Sequence, residues 1–201
     1  MNQRDKAILE DVQRFRALSR DLIASLHFNN VKNPITAANY VLKRLHRDKQ
    51  IERATDRRQY IYFPAQGHIK KDSSKLGHFL QIAEFYRDIC KVEIPKTFIV
   101  EPRYSKGMPE PDIFMIWKGA PWHVEIQRTQ YSEKQIKEKI QRYDHYYLSN
   151  EWHSESWQKP DKKIFPYLWI NGVGRYAIGM RSYRVFQTDI EGMLDITSKR
   201  K

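Results

Sequence analysis

The chain has one cysteine in 201 residues, so Cys90 has no internal disulfide partner and no extracellular cystine framework is available. Its neighbours Phe85, Tyr86 and Ile89 read as an apolar helix face, where a buried, inert thiol is expected. No apolar run approaches the ~20 residues needed to span a bilayer. The opening Met1-Asn2-Gln3-Arg4-Asp5 lacks the apolar centre of a secretory leader, and no lipidation motif is evident. No membrane partner and a cytoplasmic location are therefore expected. Acidic residues are also in deficit, with 24 Asp and Glu against 36 Lys and Arg and a net charge of +12. That balance favours a polyanionic partner, nucleic acid first. Residues 1–65 hold 13 Lys and Arg against 7 Asp and Glu, so the excess is shared by both halves of the chain.

The length suits two compact units of unequal size. In the first, Ile8, Leu9, Val12 and Phe15 recur at one-face helical spacing from Arg4, and Ser19 offers an N-cap for a second helix carrying Leu22, Ile23 and Leu26. Asn33-Pro34 supplies a cap and a first-turn proline for a third helix running to about Lys49. Its core face is expected to hold Ile35, Ala38, Val41, Leu42 and Leu45. Thr36, Asn39, Lys43 and Arg47 then lie outward. Residues 51–54 and 59–63 are strand-like around a polar tip containing Arg57 and Arg58, which predicts a hairpin. Three helices followed by a ribbon with a basic tip resemble the winged helix-turn-helix family over residues 1–65. The resemblance implies a third helix entering the major groove of double-stranded DNA. Asn33, Thr36, Asn39, Lys43 and Arg47 are then its DNA-reading candidates, and Arg57 and Arg58 its phosphate or minor-groove contacts.

After a polar connector, residues 74–91 show a broad apolar helical face that includes Leu76, Phe79, Ile82, Ala83 and Ile89, with Ser73 or Ser74 as cap. Strand-like runs follow at 96–101, 112–118 and 122–127, the last two joined through Gly119-Ala120-Pro121. Ser132 caps a charged helix through Ile136, Ile140, Tyr143 and Tyr147, and residues 165–170 form a continuous apolar run suited to a buried strand. The fold class is thus α+β, with an α-β-β-β-α-β order in residues 74–201. Trp152, Trp157, Tyr146 and Tyr147 are expected to pack internally rather than to stack unpaired bases. Gly172 and Gly174 are expected to form a turn rather than a phosphate cradle.

Pro111-Asp112 opens one strand and Glu125-Ile126-Gln127 ends the next. With the element order, these residues resemble the PD-(D/E)XK nuclease superfamily. The resemblance implies Asp112 and Glu125 as ligands of Mg2+, a hard cation suited to paired carboxylates beside a phosphodiester. It also implies Gln127 as the water-orienting position and Glu84, on the preceding helix, as an additional acid. The family pattern has lysine where this chain has Gln127, and Lys134 or Lys139 on the following helix could supply the missing charge. The combination of winged helix, His78 on the following helix, P-D, V-E-I-Q-R-T and a basic helix ending in Tyr143 is similar to the replication-relaxation family of plasmids, phages and integrative elements. That resemblance spans roughly residues 8–170. It implies a role in DNA replication or mobilisation, with replication or mobilisation proteins as further partners. The alternative is a non-catalytic DNA-binding regulator whose second unit is a degenerate nuclease fold used for homodimerisation or partner docking.

Overall fold

The computed structural model describes residues 1–54, 59–67, 75–172 and 174–198, which are mixed α and β. They fall into two compact units, Met1–Lys91 and Val92–Lys201. No helix among the described residues is long and apolar enough to cross a membrane.

The first unit opens on α1 (Gln3–Phe15), held by a reciprocal cap in which the Asn2 side chain accepts from the Asp5 N–H and the Asp5 carboxylate accepts from the Asn2 N–H. A two-residue strand, β1 (Leu18–Ser19), leads into α2 (Arg20–His27), and the Ser19 hydroxyl accepts from the Leu22 N–H as α2 begins. Helix α3 (Pro34–Arg47) packs on α2 through buried Ala38, Leu42 and Leu45. Ile35, expected in the core, is 39% exposed because it sits in the first turn, beyond the buried stripe. Asn33 stands at the N-cap but makes no side-chain capping bond. Its ψ is 80°, whereas the capping residues Asn2, Ser19 and Ser132 have ψ of 173°, 155° and 159°. That extended geometry aims a side-chain oxygen at the first free N–H groups.

Strands β2 (Ile51–Ala54) and β3 (Ile61–Pro64) form the expected hairpin. β1 pairs with the other edge of β3, giving a three-stranded antiparallel sheet in the order β1-β3-β2. Arg57 and Arg58, expected at the tip of the hairpin, and Ser73 and Ser74, expected as a helix cap, lie outside the described residues.

Helix α4 (Leu76–Cys90) groups with this first unit, although its position after the connector suggested the second. Its apolar face finds partners there: Leu76 joins a cluster with Ala17, Ala54, Ile61 and Phe63. Tyr86 meets the Phe15 ring at 5.3 Å. Cys90 is half-buried, and burial pushes its thiol pKa up.

The second unit is built on a five-stranded sheet with the order β4-β5-β6-β7-β8: β4 (Thr97–Val100), β5 (Ile113–Trp117), β6 (Ala120–Ile126), β7 (Tyr167–Asn171) and β8 (Val185–Gln187). The first three strands are antiparallel, and β7 and β8 then run parallel to β6. Helix α5 (Glu133–Ser149) connects β6 toward β7, and α6 (Ile190–Ser198) follows β8. The turn between β5 and β6 consists of Lys118 and Gly119, both at positive φ (50° and 72°), so β6 starts earlier than the Pro121 position suggested. Two positive φ values in a two-residue loop match the twist of a hairpin, and Gly119 adopts its value without a Cβ penalty.

Side chains on β6 alternate between two faces. Trp122 contacts Trp117, Trp169 and Phe186 on one face. His123 and Glu125 turn to the other, where Ile136, Ile140, Tyr143 and Tyr146 of α5 pack with Leu168 and Ile170. The aromatic group near the end of α5 is packed as expected, with Tyr147 and Trp152 stacked at 6.2 Å and Trp152 against Phe165.

Candidate functional site

In the first unit, Asn33, Thr36, Asn39, Lys43 and Arg47 are all exposed. Thr36, Asn39, Lys43 and Arg47 share one side of α3 by helical spacing. Tyr40, which the sequence pattern did not single out, stands among them and is 76% exposed. Its spacing of four from Thr36 and three from Lys43 was legible in the sequence. An aromatic residue, however, is ordinarily assigned to the core. Arg44 has a different task. Its guanidinium donates to Asp5 at 2.8 Å, and Asp5 is buried, so Arg44 neutralises the carboxylate that caps α1. Arg47 donates to Asp48 at 2.9 Å but stays largely in solvent.

In the second unit, Asp112 immediately precedes β5 and Glu125 is the penultimate residue of β6. Ile113 opposes Val124 in the antiparallel register, so one step further along the hairpin brings Asp112 opposite Glu125. The structure therefore joins the two carboxylates at one sheet end. Asp112 Oδ2 accepts the Ile126 N–H at 2.7 Å. The Asp112 backbone carbonyl accepts the Glu101 N–H at 2.8 Å.

Glu125 is wholly buried, and both of its oxygens are engaged by α5. The Tyr143 hydroxyl donates to Oε1 at 2.7 Å, and the Lys139 ammonium donates to Oε2. Lys139 and Tyr143 are four residues apart, so both project from one helix face toward β6. Lys139 is the more accessible, with its side chain 27% exposed. Of the two lysines the sequence offered, Lys139 is the one that reaches Glu125. Lys134 is exposed and takes no part in the described contacts of this site.

Burial pushes the Glu125 pKa up to about 7, and the Asp112 charge adds to the rise, while Lys139 and Tyr143 hold it back. Burial also works against the Lys139 ammonium, but Glu125, Tyr131 and Asp112 outweigh it and raise the lysine pKa. The pair therefore keeps its proton on nitrogen at neutral pH, with Glu125 close to taking one. Tyr143 is raised far above the ordinary phenol, first by burial and then by Glu125, and remains a donor.

Gln127 follows on the same side of the strand end. Its backbone N–H donates to Asn171 at 2.9 Å, whereas neither polar atom of its buried carboxamide has a partner among the described residues. Gly172 lies so close that a Cβ there would stand 2.8 Å from Gln127 Cβ and Oε1. Glycine is what lets the chain pass over the amide. An unpaired buried amide is costly and points to a ligand or water.

Two convergent carboxylates are hard donors that fit a divalent cation such as Mg2+, and the orphaned Gln127 amide beside them is free to meet a water. The described residues contain no cluster of three or more His, Cys, Asp and Glu side chains. The remaining positions would therefore fall to backbone carbonyl and water, which Mg2+ commonly retains. Glu84, expected as an additional acid, lies exposed on α4, in the first unit and not in the one that holds Asp112 and Glu125.

Beneath Glu125 sits a second polar group that the sequence pattern did not reveal. His123 is fully buried, with Nε2 2.8 Å from the Tyr104 hydroxyl and Nδ1 without a partner among the described residues. Burial lowers its pKa to about 3, so it is neutral. Strand alternation alone would have aligned it with Glu125. Comparison with family models, curated proteins and solved structures finds no match to this chain.

Proposed function

We propose that the chain is a DNA-binding protein that holds a duplex on the outer face of α3 and hydrolyses a phosphodiester at Asp112, Glu125 and Lys139 with a divalent cation. One observation carries the reading: a lysine from α5 reaches a buried glutamate that lies opposite a second carboxylate at the sheet end. Carboxylates alone would repel a phosphate, and the ammonium offsets that repulsion. The strand order supports a PD-(D/E)XK-like core, with three antiparallel strands, a helix, and a parallel strand beside β6. The helices α1–α3 with the β2–β3 hairpin support a winged-helix module.

On this reading Asp112 and Glu125 hold the cation, and Tyr143 fixes the Glu125 carboxylate through Oε1. A divalent cation held there would supply Lewis acidity toward the phosphate. Gln127 accepts a hydrogen bond from the attacking water through Oε1. Lys139 turns from Glu125 to the phosphate as negative charge builds there, which its partial exposure permits. One P–O bond forms from the water oxygen as the P–O bond to the leaving alkoxide breaks; the proton that the water loses passes to solvent, and the alkoxide takes one up from solvent. A role in replication or mobilisation of plasmid, phage or integrative DNA follows from the resemblance of the motifs to the replication-relaxation family.

The second reading is a non-catalytic DNA-binding regulator. The engagement of both Glu125 oxygens by Lys139 and Tyr143 favours it, because a carboxylate neutralised within the protein needs no cation. Incubation of supercoiled plasmid with wild type and Asp112→Ala in Mg2+ or Mn2+ separates the two. Nicking by wild type alone supports hydrolysis; plasmid left intact by both, with binding retained, supports the regulator.

A further inference from the structure

The charged helix α5 has a second side. Along it runs an open cleft of about 670 Å³, bounded on one side by α5 and on the other by residues 175–181. This is within the range of pockets that enclose small organic ligands, roughly 300–1,000 Å³. Ile136 and Ile140 contribute an apolar floor, and Lys137, Arg175 and Arg181 line its walls. Two acids line it as well. Asp144 is occupied by Arg181 at 3.3 Å and by the Tyr183 hydroxyl at 2.9 Å, while Glu133 lies at the start of α5. Lys137 and Arg175 are exposed.

The cleft is linked to the carboxylate site through aromatic rings. Lys139, the partner of Glu125, stands 5.4 Å over the Tyr131 ring. Tyr131 in turn is stacked on Tyr176 at 6.2 Å between centroids and 26° between planes. The Tyr176 hydroxyl accepts the Tyr131 N–H at 2.8 Å, which fixes the pair. Tyr131 and Tyr176 both line the cleft. A row therefore runs from Glu125 through Lys139 and Tyr131 to Tyr176. Cations beside an aromatic step suit a polynucleotide strand, in which phosphates meet the cations and a base stacks on the ring. A duplex keeps its bases inside the stack and cannot present one to Tyr176 without unpairing.

We propose that the cleft between α5 and residues 175–181 binds one unpaired polynucleotide strand, stacking a base on Tyr176 and delivering the adjoining phosphate toward Lys139 and Glu125. This rests on the reading of Asp112, Glu125 and Lys139 as a phosphodiester site. The strand-binding step is nevertheless measurable without cleavage.

The test is fluorescence anisotropy of a labelled thymidine oligomer with the full chain in EDTA, repeated with the matching uridine oligomer and with a duplex. Tyr176→Ala and Arg175→Ala are expected to weaken single-strand binding about tenfold, as removal of a stacking ring or a phosphate-binding cation does. Tyr176→Phe keeps the stacking ring but loses the hydroxyl that accepts from Tyr131, so it is expected to weaken single-strand binding less than Tyr176→Ala does. Duplex affinity should be unchanged in all three, and near-UV circular dichroism, to which the five tryptophans of the second unit contribute, serves as the check on folding. Equal weakening for both oligomers assigns recognition to backbone and base face; weakening for only one adds the sugar or methyl group as a determinant, and either supports the cleft. Single-strand affinity unchanged in both Tyr176→Ala and Arg175→Ala overturns it. If strand binding weakens as expected but plasmid is never nicked, the cleft stands and the hydrolytic reading falls.

Discussion

Lys139, on α5, places its ammonium on the buried Oε2 of Glu125, on β6. A carboxylate at this depth is tolerable because of that contact and the Tyr143 hydroxyl on Oε1. Lys139→Met removes the countercharge, and Glu125 must then ionise alone or take up a proton. At pH 8 the variant is expected to be less stable than wild type by about 2–3 kcal/mol, below the usual cost of a broken buried pair because the survivor can protonate. The deficit should shrink toward pH 6 as protonation becomes easier. Urea unfolding at the two pH values measures both numbers; a deficit independent of pH would mean that Glu125 is not the group affected.

His123 and Glu125 make stability depend on pH in opposite directions. The folded pKa of His123, about 3, lies below its ordinary value of 6.5, so the unfolded chain takes up a proton first as pH falls. Stability from this group is present above about pH 6.5 and is lost on acidification, by about 2 kcal/mol at pH 5. Glu125 has a folded pKa of about 7 against 4.5, so its contribution is full below pH 4.5 and is lost as pH rises through 7. The two act against each other between pH 7 and 5 in wild type. His123→Gln should therefore gain stability relative to wild type on going from pH 7 to pH 5, and Glu125→Gln should lose it. Parallel pH profiles for wild type and either variant would contradict the assignment of that residue.

On the α3 face, Lys43→Ala and Arg47→Ala are expected to weaken duplex binding and to lower the slope of log affinity against log salt by about one for each phosphate left without its cation. Tyr40→Ala should weaken binding with the slope unchanged, because it removes an uncharged group. Arg44→Ala should instead lower stability, since it strands the Asp5 carboxylate that caps α1. An unaltered affinity in all three face variants would move the DNA interface elsewhere.

Much of this was legible in the residues. Helical spacing located α1 to α5, and the resemblance of P-D and E-I-Q to a nuclease motif implied that Asp112 and Glu125 meet. Other features depend on tertiary context. β1 is two residues long and has no period of its own; it exists because β3 offers a free edge. Helix α4 carries an apolar face that fits either neighbour, and only the packing of Leu76 and Tyr86 on the first unit assigns it there. Ile35 obeys the periodicity of the α3 core stripe, yet lies past the end of its cover. Lys139 shares a stripe with Ile136, Ile140 and Tyr143, and a lysine on an apolar stripe reads as a snorkelling side chain until a buried acid is found facing it. Tyr40 failed for the converse reason, as an aromatic residue on a polar face.

The central claim is that Lys139 acts on a phosphate and does not merely neutralise Glu125. Its most direct test is single-turnover cleavage of supercoiled plasmid in Mg2+ by wild type and Lys139→Met at saturating protein, with duplex affinity measured alongside. Wild type should nick the plasmid, and the variant should bind equally well but cleave at least about a hundredfold more slowly, the scale expected on removing one charge-stabilising donor. Equal cleavage by both proteins would contradict the role given to Lys139, and no cleavage by either would leave the second unit as a DNA-holding module.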